Sequence, residues 1–224
     1  MKCRFAANAS RVIALATLGL ALAIPSQAQT MALDFTGGIT GSADGNNTLG
    51  WEFALSSSVT VKDLGIYDEG DDGLVNSHQV GLWTTGGTLL ASTTLASGLS
   101  GTDVSSISTF GSFRFNSITD LVLGPGSYVL GAAYLQSDAD VVRTNTSAPS
   151  MAPGFSFTQG HYNLGSGFAF PGGTFATSGG HFGPNLRISS SDVPEPGMVV
   201  SLLGAGSLGG FMLIRRRQSR RSLK

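Results

Sequence analysis

The stretch Gly124-Pro125-Gly126-Ser127-Tyr128-Val129-Leu130-Gly131-Ala132-Ala133-Tyr134-Leu135 carries the reading that decides the fold. Proline between two glycines punctuates the chain and turns it sharply. From residue 128 to residue 135 every side chain is apolar or small, on both faces of a period-two backbone. A strand with no face reserved for water belongs in the middle of a sheet, covered on both sides.

Outward from this strand, shorter blocks alternate. Val59 and Val61 interleave with Thr60 and Lys62, and Val80, Leu82 and Thr84 with Gly81 and Trp83. Phe113 and Phe115 flank Arg114, and Leu186 and Ile188 flank Arg187. Period two predicts half-buried strands. Turn signals separate the blocks at Gly86-Gly87, at residues 98–101 and at Gly172-Gly173. With no helical period in the body of the chain, the predicted class is all-β: an antiparallel β-sandwich, jelly-roll-like, with barrel closure as an open alternative.

Both ends have a different character. Lys2, Arg4 and Arg11 precede an apolar run over residues 12–24, followed by Pro25 and the small residues before Gln29. That is the layout of a secretory signal peptide cut after Ala28. At the other end, Val193-Pro194-Glu195-Pro196-Gly197 precedes seventeen uncharged residues, 198–214, and then Arg215, Arg216 and Arg217. A helix of seventeen residues reaches about 25 Å, just short of a hydrocarbon core of about 30 Å, and the arginines halt it on the cytoplasmic side. The expected division is therefore a leader with its signal helix at 1–28, an exported domain at 29–192 and a tail at 193–224. The tail divides into a hinge at 193–197, a single transmembrane helix at 198–214 and a basic end at 215–224.

In this tail the chain resembles bacterial PEP-CTERM proteins, on Pro194-Glu195-Pro196, the apolar span and Arg215, Arg216 and Arg217, together with the leader. The resemblance implies a Gram-negative exosortase substrate. Its partners would be the secretion machinery and exosortase, with the membrane held only transiently before processing. Its destination would be the cell envelope, the cell surface or an extracellular matrix of exopolysaccharide, where it would contribute to biofilm structure without enzymatic activity. A second resemblance, from Leu64-Gly65-Ile66-Tyr67 through His78-Gln79-Val80-Gly81-Leu82-Trp83 to Leu90-Ala91, is to a module of unknown function in exported bacterial proteins.

The body between the ends is acidic. Residues 29–192 hold 13 acidic side chains and only Lys62, Arg114, Arg143 and Arg187, a net charge of −9. So few scattered cations argue against nucleic acid as a partner. The lone cysteine, Cys3, falls in the leader, so the domain cannot rely on disulfides. Charged residues are only 12% of the chain and glycines number 32, which favours strands and turns over helices.

Candidate chemistry is sparse. Asp68, Glu69, Asp71 and Asp72 form an acidic turn that could offer oxygens to Ca²⁺, but Gly70 and Gln79 stand where an EF-hand needs ligands, so a solvated turn is the plainer reading. His78, His161 and His181 lack metal-ligand spacing, and no metal or other cofactor is expected. Gly-x-Ser-x-Gly is absent, and Gly204-Ala205-Gly206-Ser207-Leu208-Gly209 matches a dinucleotide fingerprint only inside the apolar span, where no βαβ unit can surround it. No catalytic residue is expected. The aromatics of residues 153–183 either fill the core or, with Trp83 and Tyr162 as candidate contacts, stack on sugar rings. A carbohydrate-binding module for matrix glycans is accordingly the alternative to a structural matrix protein.

Overall fold

The computed structural model describes residues 29–41, 45–136, 138–144, 149–175 and 180–190. The predicted leader and sorting tail, including Val193, Pro194, Glu195, Pro196, Arg215, Arg216 and Arg217, lie outside the described residues. Among the described residues no helix is long and apolar enough to cross a membrane.

Among the described residues the regular secondary structure is all strand. In chain order the strands are β1 (Gln29–Met31), β2 (Leu33–Asp34), β3 (Ile39–Gly41), β4 (Asn47–Leu55), β5 (Val59–Glu69), β6 (His78–Thr84), β7 (Leu89–Leu95) and β8 (Thr102–Ser105). There follow β9 (Gly111–Leu123), β10 (Gly126–Tyr134), β11 (Val142–Thr144), β12 (Ser150–Met151), β13 (Phe155–Asn163), β14 (Gly173–Phe175) and β15 (Pro184–Ser190). A five-stranded sheet in the order β1-β15-β5-β9-β8 faces a six-stranded sheet in the order β14-β13-β4-β10-β6-β7. Two short ladders, β11 with β3 and β12 with β2, complete the set, and all pairings are antiparallel.

The strand read as central is central. β10 pairs along its whole length with β4 and also with β6, and it enters from Gly126 at φ 149°, next to the turn at Pro125. One face of this sheet packs into the sandwich: Trp51, Phe53, Val80, Leu82, Leu130 and Ala132 are all buried in one cluster with Leu64, Ile66 and Leu186 of the other sheet. The Trp51 indole N–H donates to the Pro184 carbonyl at 2.8 Å, tying β4 to β15 across the two sheets. Each large side chain removed from water there contributes about 1.5–3 kcal/mol, so this shared core holds the layers together.

The other face of the six-stranded sheet is smooth. Gly81, Gly131 and Gly50 fall side by side on β6, β10 and β4, continued by His161 on β13. Onto this row fold Trp83 and the segment after β13: a Cβ at Gly81 would lie 2.5 Å from Trp83 and 2.7 Å from Phe168, and one at Gly131 would lie 3.2 Å from Pro171. Glycines here make room for an aromatic roof.

One expectation is corrected. Phe113, Arg114 and Phe115 read as a half-buried strand, but all three are buried. Arg114 can be enclosed because Asp68 on the neighbouring β5 neutralises it.

Candidate functional site

Among the described residues, three charged networks involve the candidate histidines and the acidic turn. The most enclosed lies at one end of the core. His78 opens β6 and Tyr134 closes β10, two positions beyond the last ladder pair Val80↔Ala132, and their rings stand 5.1 Å apart. The chain leaving β10 brings Asp138 and Asp140 against the same imidazole. His78 is 0% exposed, Asp138 3% and Asp140 4%.

Each group is held from behind. His78 Nδ1 lies 2.8 Å from the Ala133 carbonyl, an acceptor, so Nδ1 carries a proton and donates it. Nε2 is 2.8 Å from Asp140 Oδ2 and 3.8 Å from Asp138 Oδ2. Asp140 accepts the backbone N–H groups of Val75 and Asn76 at 2.9 and 3.0 Å. Asp138 accepts the Asn76 side-chain amide at 2.8 Å and the Leu135 N–H at 3.1 Å. The carboxylates thereby stitch the loop before β6 to the chain after β10.

Burial alone would lower the His78 pKa, but its hydrogen bonds to Asp140 and Ala133 and the field of both carboxylates raise it above its ordinary value. Burial likewise opposes ionisation of Asp140, yet His78 and the two N–H donors bring that pKa down. The Tyr134 hydroxyl, buried and without a hydrogen-bond partner, is driven well up by burial and then by the two aspartates. Ligand atoms of His78, Asp138 and Asp140 all lie within 4.8 Å of one another, a set able to hold a metal ion. With no open face the cluster is poorly placed to meet a bulky substrate.

A second network sits on the outer face of the six-stranded sheet. His161 Nε2 is 2.9 Å from Glu52 Oε2, and Nδ1 is 2.7 Å from the Pro171 carbonyl, anchoring the aromatic roof. Gln159 donates to the same Glu52 oxygen at 2.8 Å. His181, on the chain leading to β15, stacks 4.5 Å from Phe175, and burial lowers its pKa.

The third network is the acidic turn. The structure does not leave it as a simple solvated turn: Asp68 is wholly buried, accepting Arg114 Nε–H at 2.5 Å and the Gly73 N–H at 3.1 Å. Asp71, in the left-handed region at φ 56°, accepts Ser112 at 2.7 Å and Arg114 at 3.2 Å. Glu69 is chelated by Arg143 through both its oxygens. Only Asp72 of the four stands exposed with no side-chain bond shown to a cation.

The aromatic candidates separate. Trp83 is 3% exposed, with Phe168 and Phe170 rings 5.3 and 6.3 Å away, so it presents no open face to a sugar. Tyr162 is half-buried against Phe175 at 6.1 Å. The structure does not bring the two together: Trp83 lies under the outer roof, whereas Tyr162, on β13 with two strands between, packs against the core side of the sheet. The His78 cluster went unread in the sequence because its members are about sixty positions apart, and the only local signal was the Asp138-x-Asp140 doublet beside an apolar strand.

No family model, no curated protein and no solved structure matches the chain.

Proposed function

We propose that the chain is an exported, non-enzymatic protein of the cell surface or extracellular matrix, delivered through its PEP-CTERM tail by an exosortase and contributing to exopolysaccharide or biofilm structure. One observation carries this reading: a signal-peptide layout at one end and, at the other, a proline hinge, an apolar span and an arginine stop in that order. The antiparallel sandwich supports it as a self-sufficient body for such cargo, stabilised by a packed core without cysteine outside the leader. We read its strand order, with successive strands passing repeatedly between the two sheets, as jelly-roll-like.

Charge supports the same destination. All four cations of residues 29–192 are engaged: Lys62 with Asp120, Arg114 with Asp68, Arg143 with Glu69 and Arg187 with Asp63. A body with net negative charge and its cations already paired has little to offer nucleic acid or an anionic membrane surface. Membrane contact in this reading belongs to the tail alone and ends with processing.

The test is the intact mass of the protein recovered from the surface of its native cells. The expected result is loss of residues 1–28 and of the arginine-rich end, in the extracellular fraction, and retention of the arginine-rich end, with residues 1–28 still removed, in a strain lacking exosortase. A chain found in the cytosol with both ends uncut would overturn the reading.

A further inference from the structure

We propose that His78, Asp138 and Asp140 form a buried binding site for one divalent transition-metal ion of the Zn²⁺ class, whose role is to lock the loop before β6 onto the chain leaving β10. The inference stands independently of the export reading.

Three observations carry it. The first is ligand geometry: three potential donors from two distant segments converge within 4.8 Å, and one imidazole with two carboxylates suits a borderline cation better than Ca²⁺ or Mg²⁺. The second is the support behind the donors. His78 Nδ1 donates to the Ala133 carbonyl at 2.8 Å, the outer contact that orients a ligating histidine and turns Nε2 inward. The aspartates are fixed by the backbone N–H groups of Leu135, Val75 and Asn76.

The third is charge balance. Two aspartates at 3% and 4% exposure need compensation, yet each of the four cations in residues 29–192 is paired with a different carboxylate. An imidazolium would offset only one of the two negative charges. A dication bound to a neutral imidazole offsets both. The Tyr134 ring, 5.1 Å from His78, closes the same end of the core, with its hydroxyl buried, unpartnered and set against Gly183.

The experiment uses the full-length chain, stripped with chelator and titrated with Zn²⁺ in calorimetry and thermal melts, with Ca²⁺ as the comparison ion. The expected result is one Zn²⁺ per chain, a raised melting temperature, and affinity that weakens as pH falls because Zn²⁺ must displace the Nε2 proton. Asp138→Asn, which retains the side-chain shape, should weaken binding about 10–100-fold or more, while His161→Gln and His181→Gln leave it unchanged. Should Asp138→Asn fail to fold, nitrogen NMR of the wild-type histidines decides: one imidazole, still present in the His161 and His181 variants, must shift its Nε2 resonance on adding Zn²⁺. No stoichiometric binding, a Ca²⁺ effect equal to that of Zn²⁺, or a shift that disappears with His161 or His181 would overturn the proposal.

Discussion

Arg114 lies 3% exposed on β9, where its Nε–H meets Asp68 at 2.5 Å and a second nitrogen meets Asp71. Asp68 is wholly buried, its Oδ1 lacks a partner, and burial raises its pKa against the pull of Arg114. Such a pair costs little while intact and a great deal when halved. Arg114→Met should lower stability by about 3–5 kcal/mol, and adding Asp68→Asn should recover much of that loss, both read from urea midpoints. A single variant within about 1 kcal/mol of wild type would refute the account. His181 gives the pH case at the same scale. Its pKa is lowered on folding, so the unfolded chain takes up the proton first: the stability it contributes is complete above the ordinary value of 6.5 and is lost as pH falls through that value. His181→Gln should therefore flatten the acid side of the stability profile between about pH 7 and 5, measured by melting temperature. Neither environment was legible in the sequence, because what surrounds Arg114 and His181 arrives from distant strands.

At the scale of elements, β10 illustrates what local pattern can determine. Its apolar residues on both faces predicted a central strand, and β4 and β6 flank it. The alternation around Trp83 predicted β6 as well, but not that the Trp83 face would be covered. That cover comes from Phe168, Phe170 and Pro171, some eighty residues later, with Phe168 over Gly81 and Pro171 over Gly131. Gly81→Ala puts a methyl group into the ends of Trp83 and Phe168. The expected outcome is a loss of about 1–3 kcal/mol with a red shift of tryptophan fluorescence as the roof lifts. An unshifted spectrum and unchanged stability would show that the rings are not seated on the glycines. The roof encloses Trp83 on the outer face, whereas Tyr162 is half-buried against the core on the other face, so the two glycan-contact candidates are separated.

For the whole molecule, the sequence by itself determined the class of structure, and it alone carries the proposed division of the chain. Strand periodicity, glycine-rich turns and the lack of a helical repeat are local properties, and they sufficed for an all-β antiparallel body. The leader, hinge, apolar span and arginine stop are likewise contiguous signals, and they carry the proposed destination without tertiary structure. Tertiary structure alone decided which polar groups meet. The β6–β10 pairing sets His78 beside Tyr134, the turn after β10 delivers Asp138 and Asp140 to the same imidazole, and β5 against β9 sets Asp68 on Arg114. The physical reason is that periodicity reports only which face of a strand is buried, whereas a charge network depends on which strands become neighbours and in what register, and those choices are made by long-range packing of the whole core.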